Sequence, residues 1–198
     1  MNLLAHLHLG QDLPAAAAAG NLTADFCKEK GSAVFQQGVV VHRRIDSFTD
    51  HHDTVADARR LFSGELRRFA SVLVDLAFDI CLSRTWSRWS DEPRHLFIDH
   101  QLGRLSAVAP ELPRPAVHVL QAMVARRWMH DYDRLSGLEA SVERIVRRRP
   151  RFRPMLNAGP AVEACYEDLE AIFLRFYPQL QAEIHGEPLK LDGEPSLP

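Results

Sequence analysis

The stretch at residues 38–53, GVVVHRRIDSFTDHHD, constrains the fold of this chain more than any other. It places His42, Asp46 and Asp50 at successive steps of four residues. Because side chains four apart in a helix drift by only about 40° around the axis, these three would line one helical face. The apolar residues between them form a second stripe that can pack into a core: Val41, Ile45 and Phe48. Carboxylates beside a core are costly unless they are paired, hydrogen-bonded or bound to a metal, so the pattern favours a metal site.

Helical periodicity continues through the rest of the 198 residues, which are enough for one domain with a substantial core. The longest periodic run covers residues 65–89, and Pro160 is expected to open a last helix that ends near residue 185. We find no alternating strand pattern of any length. We therefore predict an all-α fold, a single compact domain of about seven to nine helices over residues 1–185. Residues 186–198, which contain two glycines and three prolines, are predicted to be a disordered tail.

The composition excludes several classes of protein. Lys plus Arg number 24 against 26 for Asp plus Glu, which is too little positive charge for general nucleic-acid binding. No stretch reaches the roughly 18 apolar residues of a membrane span, and the N-terminus lacks the basic region of a signal peptide. The scattered cysteines Cys27, Cys81 and Cys165 fit a reducing compartment. We predict a cytoplasmic protein with no nucleic-acid or membrane partner.

Imidazoles and carboxylates accumulate in the first 80 residues and form a candidate ligand set. Its members are His6, Asp25, His42, Asp46, Asp50, His52, Asp75 and Asp79. Mixed ligands of this kind suit Mn²⁺, Mg²⁺, Fe²⁺ or Zn²⁺, and several helices can project them into one site. Asp75 and Asp79 lie four apart among apolar residues, where two carboxylates would repel each other without a cation. The alternative is a set of structural contacts, in which Asp50 belongs to a turn, Asp75 pairs with an arginine and His6 is a hydrogen-bonded core residue.

Arginines occur in clusters, among which residues 147–153, RRRPRFR, are the densest. Most clusters are expected to be solvated surface charge. The functional interpretation is a landing surface for an acidic protein or a phosphate. The chain has no Walker loop, no GxGxxG and no GxSxG motif, so a covalent serine mechanism is not expected.

Several segments taken together resemble the bacterial acyl carrier protein phosphodiesterases. These segments are MNLLAHLHL at the start, GNLTADF at 20–26, HRRIDSFTDHH at 42–52, RRFASVLVDLAFD at 67–79, RRPR at 148–151 and YEDLEAIFLRFYP at 166–178. The resemblance covers nearly the whole chain except the tail. It implies a helical fold related to the His-Asp (HD) metal phosphohydrolases, with Mn²⁺ as the preferred ion. It also implies the reaction, hydrolysis of the phosphodiester that joins 4′-phosphopantetheine to a serine of the carrier protein.

The resemblance assigns roles to the candidate ligands. Asp25 falls on the family's GNxxxD position, and His42, Asp46 and Asp50 fall on its HxxIDxxTD positions. The paired aspartates of the family correspond to Asp75 and Asp79. We therefore predict that His42, Asp46 and Asp79 bind the metal and that Asp25 is a ligand or the general base. Asp50 and Asp75 are predicted as further ligands or as residues that orient His42.

The resemblance also suggests roles for several other residues. Arg43 or Arg44 is predicted to hold the phosphate. The predicted docking residues for the acidic carrier protein are Arg59, Arg60, Arg147, Arg148, Arg149, Arg151 and Arg153. His6, His51 and His52 rank lower as ligands. Ile80 stands where the family usually has a histidine, a change that His51 or His52 could offset.

Two other functions stay open at this point. An HD-type metal-dependent nucleotide phosphohydrolase would use the same ligands and differ only in its pocket. A non-catalytic helical protein that binds the carrier protein would carry the acidic stripe as a structural feature and bind no metal.

Overall fold

Helices make up nearly all of the structure, a computed structural model that describes residues 1–186. The helices within this range are α1 Leu3–Leu9, α2 Ala15–Thr23, α3 Ala33–His51, α4 Asp53–Arg60, α5 Ala70–Arg84, α6 Arg94–Ala107, α7 Arg114–Ala125, α8 Leu135–Arg148, α9 Gly159–Ala164 and α10 Tyr166–His185. Short 3₁₀ helices connect them at Gly64–Phe69, Trp86–Arg88, Ala109–Glu111 and Pro150–Asn157. No strand occurs in the described residues, so the predicted all-α class is confirmed.

The described part of the chain holds ten α-helices, one more than the largest predicted number. The last predicted helix is divided in two because Cys165 leaves the helical region, with φ −115° and ψ 18°. The predicted run at residues 65–89 is a single α-helix, α5, between two 3₁₀ helices. All but one of the residues of the predicted tail lie outside the described residues.

The core forms where α1 and α5 meet α10. All seven residues of α1 are buried, and α5 is buried on more than one side. The ring of Phe78 on α5 lies 5.5 Å from that of Phe173 and 5.7 Å from that of Phe176, both on α10. Such aromatic pairs add to the free energy gained from burying their apolar area. No helix within residues 1–186 is both long enough and apolar enough to cross a bilayer.

Two glycines let α2 and α3 pack unusually close together. A Cβ atom on Gly38 of α3 would lie 1.7 Å from the carbonyl oxygen of Ala17, and one on Gly20 of α2 would lie 2.1 Å from the carbonyl oxygen of Phe35. No other residue fits at either position without moving the backbone. The close approach brings Asn21, the next residue after Gly20, against His42, one helical turn after Gly38.

Candidate metal centre

Three side chains from two helices converge where α1 crosses α3. His6 comes from α1, and His42 and Asp46 come from α3. Their potential ligand atoms all lie within 4.8 Å of one another. The two imidazole rings are stacked, with centroids 4.2 Å apart and an interplanar angle of 21°. These three residues could hold a metal ion.

Asn21 orients both imidazoles. Its side-chain amide donates to the carbonyl oxygen of His6 (2.7 Å), which leaves its oxygen to accept from Nδ1 of the same histidine (3.0 Å). The backbone carbonyl of Asn21 accepts from Nδ1 of His42 (2.8 Å). Both Nδ1 atoms therefore carry the ring proton, and both Nε2 atoms face the site. Histidines that bind metals are commonly oriented by this kind of hydrogen bond from the other ring nitrogen.

The contacts of Asp46 test whether these residues fit a cation. Its Oδ1 lies 3.2 Å from Nε2 of His6, and its Oδ2 lies 3.1 Å from Nε2 of His42. A neutral imidazole whose proton is on Nδ1 offers a lone pair at Nε2, which cannot bond to a carboxylate oxygen. A second proton on each ring or a shared cation must therefore lie between these atoms.

Protonation accounts for only one of the two contacts. Burial alone would lower the pKa of His42, but contacts with Asp25 and Asp46 raise it to about 9. Burial lowers the pKa of His6, so the extra proton is unfavourable on that ring. Burial would also raise the pKa of Asp46, yet its contacts with His42 and His6 lower it well below the usual range. Two nitrogen donors facing an ionised carboxylate are a donor set that fits a divalent metal ion.

Asp25 and Asp75 flank this cluster. Oδ1 of Asp25 lies 3.6 Å from Nε2 of His42, and this contact lowers the pKa of Asp25. Burial raises the pKa of Asp75. The α-amino group of Met1 lies 3.1 Å from Oδ1 of Asp75 and 3.4 Å from Oδ1 of Asp46. Its positive charge offsets the repulsion between the two carboxylates, as a cation would at this position.

A cavity of about 180 Å³ opens over the cluster. His6, His42, Asp25 and Asp75 line it together with Arg148 and Arg149. The Arg148 guanidinium lies 4.3 Å over the Phe26 ring and donates to the carbonyl oxygen of Asp25 (3.2 Å). The cavity thus combines potential metal ligands with two cationic side chains, an arrangement suited to an anionic group.

The family model described as acyl carrier protein phosphodiesterase matches residues 1–180. The chain belongs to this family. A relative from Salmonella agona (strain SL483) is 32% identical over 188 residues, which cover 92% of this chain and 97% of the relative. A relative from Enterobacter sp. (strain 638) is 30% identical over 194 residues, which cover 96% of this chain and all of the relative. Both are named acyl carrier protein phosphodiesterase, an enzyme name. No solved structure gives a significant match.

Three residues placed on the phosphodiesterase motif at 42–52 lie outside the cluster. The exposed Asp50 carboxylate accepts from Nη2 of Arg59 (2.8 Å). Nδ1 of His51 donates to the carbonyl oxygen of Ser47 (2.8 Å). His52 accepts from the backbone N–H of Thr54 through its Nδ1 and so caps α4. In the described structure these contacts stabilise the end of α3 and the start of α4 and bring none of the three residues to the metal cluster.

Asp79, the second of the paired aspartates of the phosphodiesterase family, contacts backbone. It is 1% exposed, and its two carboxylate oxygens accept from the N–H groups of Leu4 (3.0 Å) and Ala5 (3.1 Å) at the start of α1. Burial raises its pKa to about 7, although these two hydrogen bonds favour the ionised form. In this arrangement Asp79 holds α1, the helix that carries His6. The adjacent Ile80 is buried.

Some of the predicted arginines line the cavity and others do not, a difference that the phosphodiesterase motifs do not reveal. Nε of Arg44 donates to Glu183 (2.8 Å), and neither Arg43 nor Arg44 lines the cavity. Arg148 and Arg149, predicted as docking residues, do line it. The remaining docking candidates on α4 and α8 have acidic neighbours: Arg59 pairs with Asp50, Arg60 with Asp57 and Arg147 with Glu143.

Two residues at this site are more important than the sequence suggested. His6 ranked low because a lone histidine on an apolar helix is usually a core residue. Asn21 was not a candidate at all, although it lies in the GNLTADF segment. An orienting residue leaves no spacing signal, because its partners come from other helices.

Proposed function

We propose that this protein is a metal-dependent phosphodiesterase that hydrolyses the bond between 4′-phosphopantetheine and the serine of holo acyl carrier protein, releasing the apo form. The observation that carries the proposal is the orientation of two Nε2 atoms by Asn21 toward the single carboxylate of Asp46, at the edge of a cavity that also contains arginines. Membership of the acyl carrier protein phosphodiesterase family supports the choice of substrate.

The residues that would hold the metal are His6, His42 and Asp46, with Asp25 and Asp75 beside them. This set of nitrogen and oxygen donors suits Mn²⁺, the ion we propose, as well as Mg²⁺, Fe²⁺ and Zn²⁺. A divalent ion bound here would lower the pKa of a coordinated water molecule and neutralise negative charge on the phosphoryl oxygens. Asp50 and Asp79 have structural partners, so they enter this proposal only through the helices that they hold.

Asp25 is the proposed proton acceptor. Its carboxylate lies in the cavity wall, where it can take a proton from a water molecule held between it and the phosphodiester. Arg148 and Arg149, rather than Arg43 and Arg44, are the proposed phosphate-binding residues because they line the same cavity. Their guanidinium groups suit bidentate contacts to phosphate oxygens.

The carrier protein is proposed to dock on the arginine-rich segment at residues 147–153. This segment includes three residues of the cavity wall, Arg148, Arg149 and Phe152, so a protein bound here would present its serine-linked phosphate at the cavity. Arg151 and Arg153 are exposed and continue the positive charge outward from the cavity. Complementary charge of this kind accelerates encounter with an acidic protein.

The test is mass spectrometry of holo carrier protein after incubation with the enzyme and Mn²⁺. The expected result is loss of the mass of the prosthetic group, prevented by EDTA and by Asp25→Asn. Asp25→Asn should retain metal binding, because His6, His42 and Asp46 remain. A parallel incubation with nucleotides and with a small phosphodiester separates the metal chemistry from recognition of the carrier protein.

Two outcomes would contradict the proposal. No mass change with any divalent ion would remove the enzymatic function and favour a binding protein. Hydrolysis of nucleotides with an untouched holo carrier protein would favour a nucleotide phosphohydrolase.

A further inference from the structure

A second cavity of about 220 Å³ adjoins the one over the metal cluster. The two cavities share part of their lining: Asn2, Leu3, Phe26, Leu76, Ile145 and Arg148. A slender molecule anchored in the first cavity can therefore continue past Phe26 and Arg148 into the second. A space of this size excludes a folded protein segment but accepts an extended chain.

The lining of the second cavity combines apolar and polar groups. Leu76 and Ile145 supply apolar surface, and Trp128, Tyr132 and Ser141 supply polar groups. The buried indole N–H of Trp128 has no hydrogen-bond partner among the described residues. A buried donor without an acceptor is unusual, and an acceptor on a bound molecule would satisfy it.

Two arginines of this wall are held in place by neighbouring rings. Arg144 lies 4.8 Å over the Trp128 ring and donates to Ser141 Oγ (2.6 Å) and to the hydroxyl of Tyr132 (3.2 Å). Arg148 lies over Phe26. No acidic side chain is among the residues that line this cavity in the described structure. The cavity is therefore suited to a neutral or anionic chain that contains hydrogen-bond acceptors, and not to a cation.

We infer that the second cavity binds the pantetheine arm of the substrate while the phosphate occupies the first. This inference rests on the proposed function. The arm is a neutral, extended chain in which methyl and methylene groups alternate with amides. Its apolar groups match Leu76 and Ile145, and its amide carbonyl groups can accept hydrogen bonds from the Trp128 N–H and the Arg144 guanidinium. The wall thus selects a substrate by the chain attached to its phosphate.

The inference is tested by calorimetric titration of the Mn²⁺-loaded protein with three probes: 4′-phosphopantetheine, inorganic phosphate and pantetheine. We expect 4′-phosphopantetheine to bind at least tenfold more tightly than inorganic phosphate. Trp128→Phe, which keeps an aromatic ring at this position and removes the indole N–H, should weaken binding of 4′-phosphopantetheine about threefold to tenfold and leave phosphate binding unchanged, as expected for one hydrogen bond. The matched control is Trp89→Phe, since Trp89 lines neither cavity.

The outcomes separate this inference from the proposed function. Equal affinity of the wild-type protein for 4′-phosphopantetheine and phosphate would overturn the inference, even if holo carrier protein is hydrolysed. An equal effect of Trp128→Phe and Trp89→Phe would overturn it as well. Tighter binding of 4′-phosphopantetheine that depends on Trp128 would support it even if the carrier protein is not hydrolysed, and the proposed reaction alone would then fail.

Discussion

The middle and the C-terminal end of α3 carry the same helical pattern and have different surroundings. In the middle of the helix, His42 and Asp46 face α1 and α2 and join His6 in the metal cluster. One turn later, Asp50 lies at the surface and pairs with Arg59. Spacing by four placed all three residues along one face, as expected for a helix. What differs is the neighbour that each turn of the helix meets.

The neighbours differ because of local packing. Gly20 and Gly38 allow α2 to approach the first half of α3 so closely that the backbone of Asn21 reaches His42. The second half of α3 runs into the turn that starts α4, where solvent surrounds the Asp50 carboxylate. An exposed ion pair of this kind contributes only about 0–1 kcal/mol to stability. A carboxylate beside two buried imidazoles instead creates a need for a cation.

The largest expected effect compares Asp46→Ala with Asp50→Ala. We expect Asp46→Ala to weaken Mn²⁺ binding by more than about 100-fold, because loss of a ligand should exceed the effect of losing an orienting residue. Asp50→Ala removes only a surface pair and should change metal affinity less than about threefold. Calorimetric titration with Mn²⁺ measures both. Equal losses in the two variants would show that Asp46 and Asp50 act alike and would return Asp50 to the ligand set.

A smaller effect is expected at Asn21. Asn21→Ala removes the hydrogen bonds to His6 while the backbone contact to His42 remains. We expect metal affinity to fall about 10- to 100-fold, the usual cost of losing a residue that orients a ligand. The matched control is Asn157→Ala, at an exposed asparagine outside the cluster. An unchanged affinity in Asn21→Ala would mean that His6 is not a ligand.

The smallest effect is expected from changing the close packing of α2 against α3. Gly38→Ala places a methyl group against the carbonyl of Ala17 and should lower the free energy of unfolding by about 1–3 kcal/mol. Gly103→Ala, at an exposed position in α6 with open space around it, should raise it by about 0.5–1 kcal/mol. Urea denaturation of both variants measures the difference. A neutral Gly38→Ala would show that α2 and α3 can separate without cost.

Much of the fold follows from periodicity alone. His42, Asp46 and Asp50 do lie on one helix, α3, as their spacing by four predicted. The division of the last helix at Cys165 has no such signal. For the site, His42 and Asp46 were predicted together because they share one helix. His6 and Asn21 come from α1 and α2, and no spacing pattern in the sequence predicts that they meet His42 and Asp46.

The amino-acid sequence by itself determined that the chain is helical, which face of α3 carries its acidic side chains and to which family it belongs, since these depend on local order along the chain. Only the tertiary structure decided which carboxylates meet imidazoles and which meet an arginine or a helix N-terminus. Asp46, Asp50 and Asp79 are the same residue type, yet one faces two histidines, one a guanidinium and one two backbone N–H groups. The physical reason is that the fate of a charge depends on burial and on the groups packed against it, which come from distant parts of the chain.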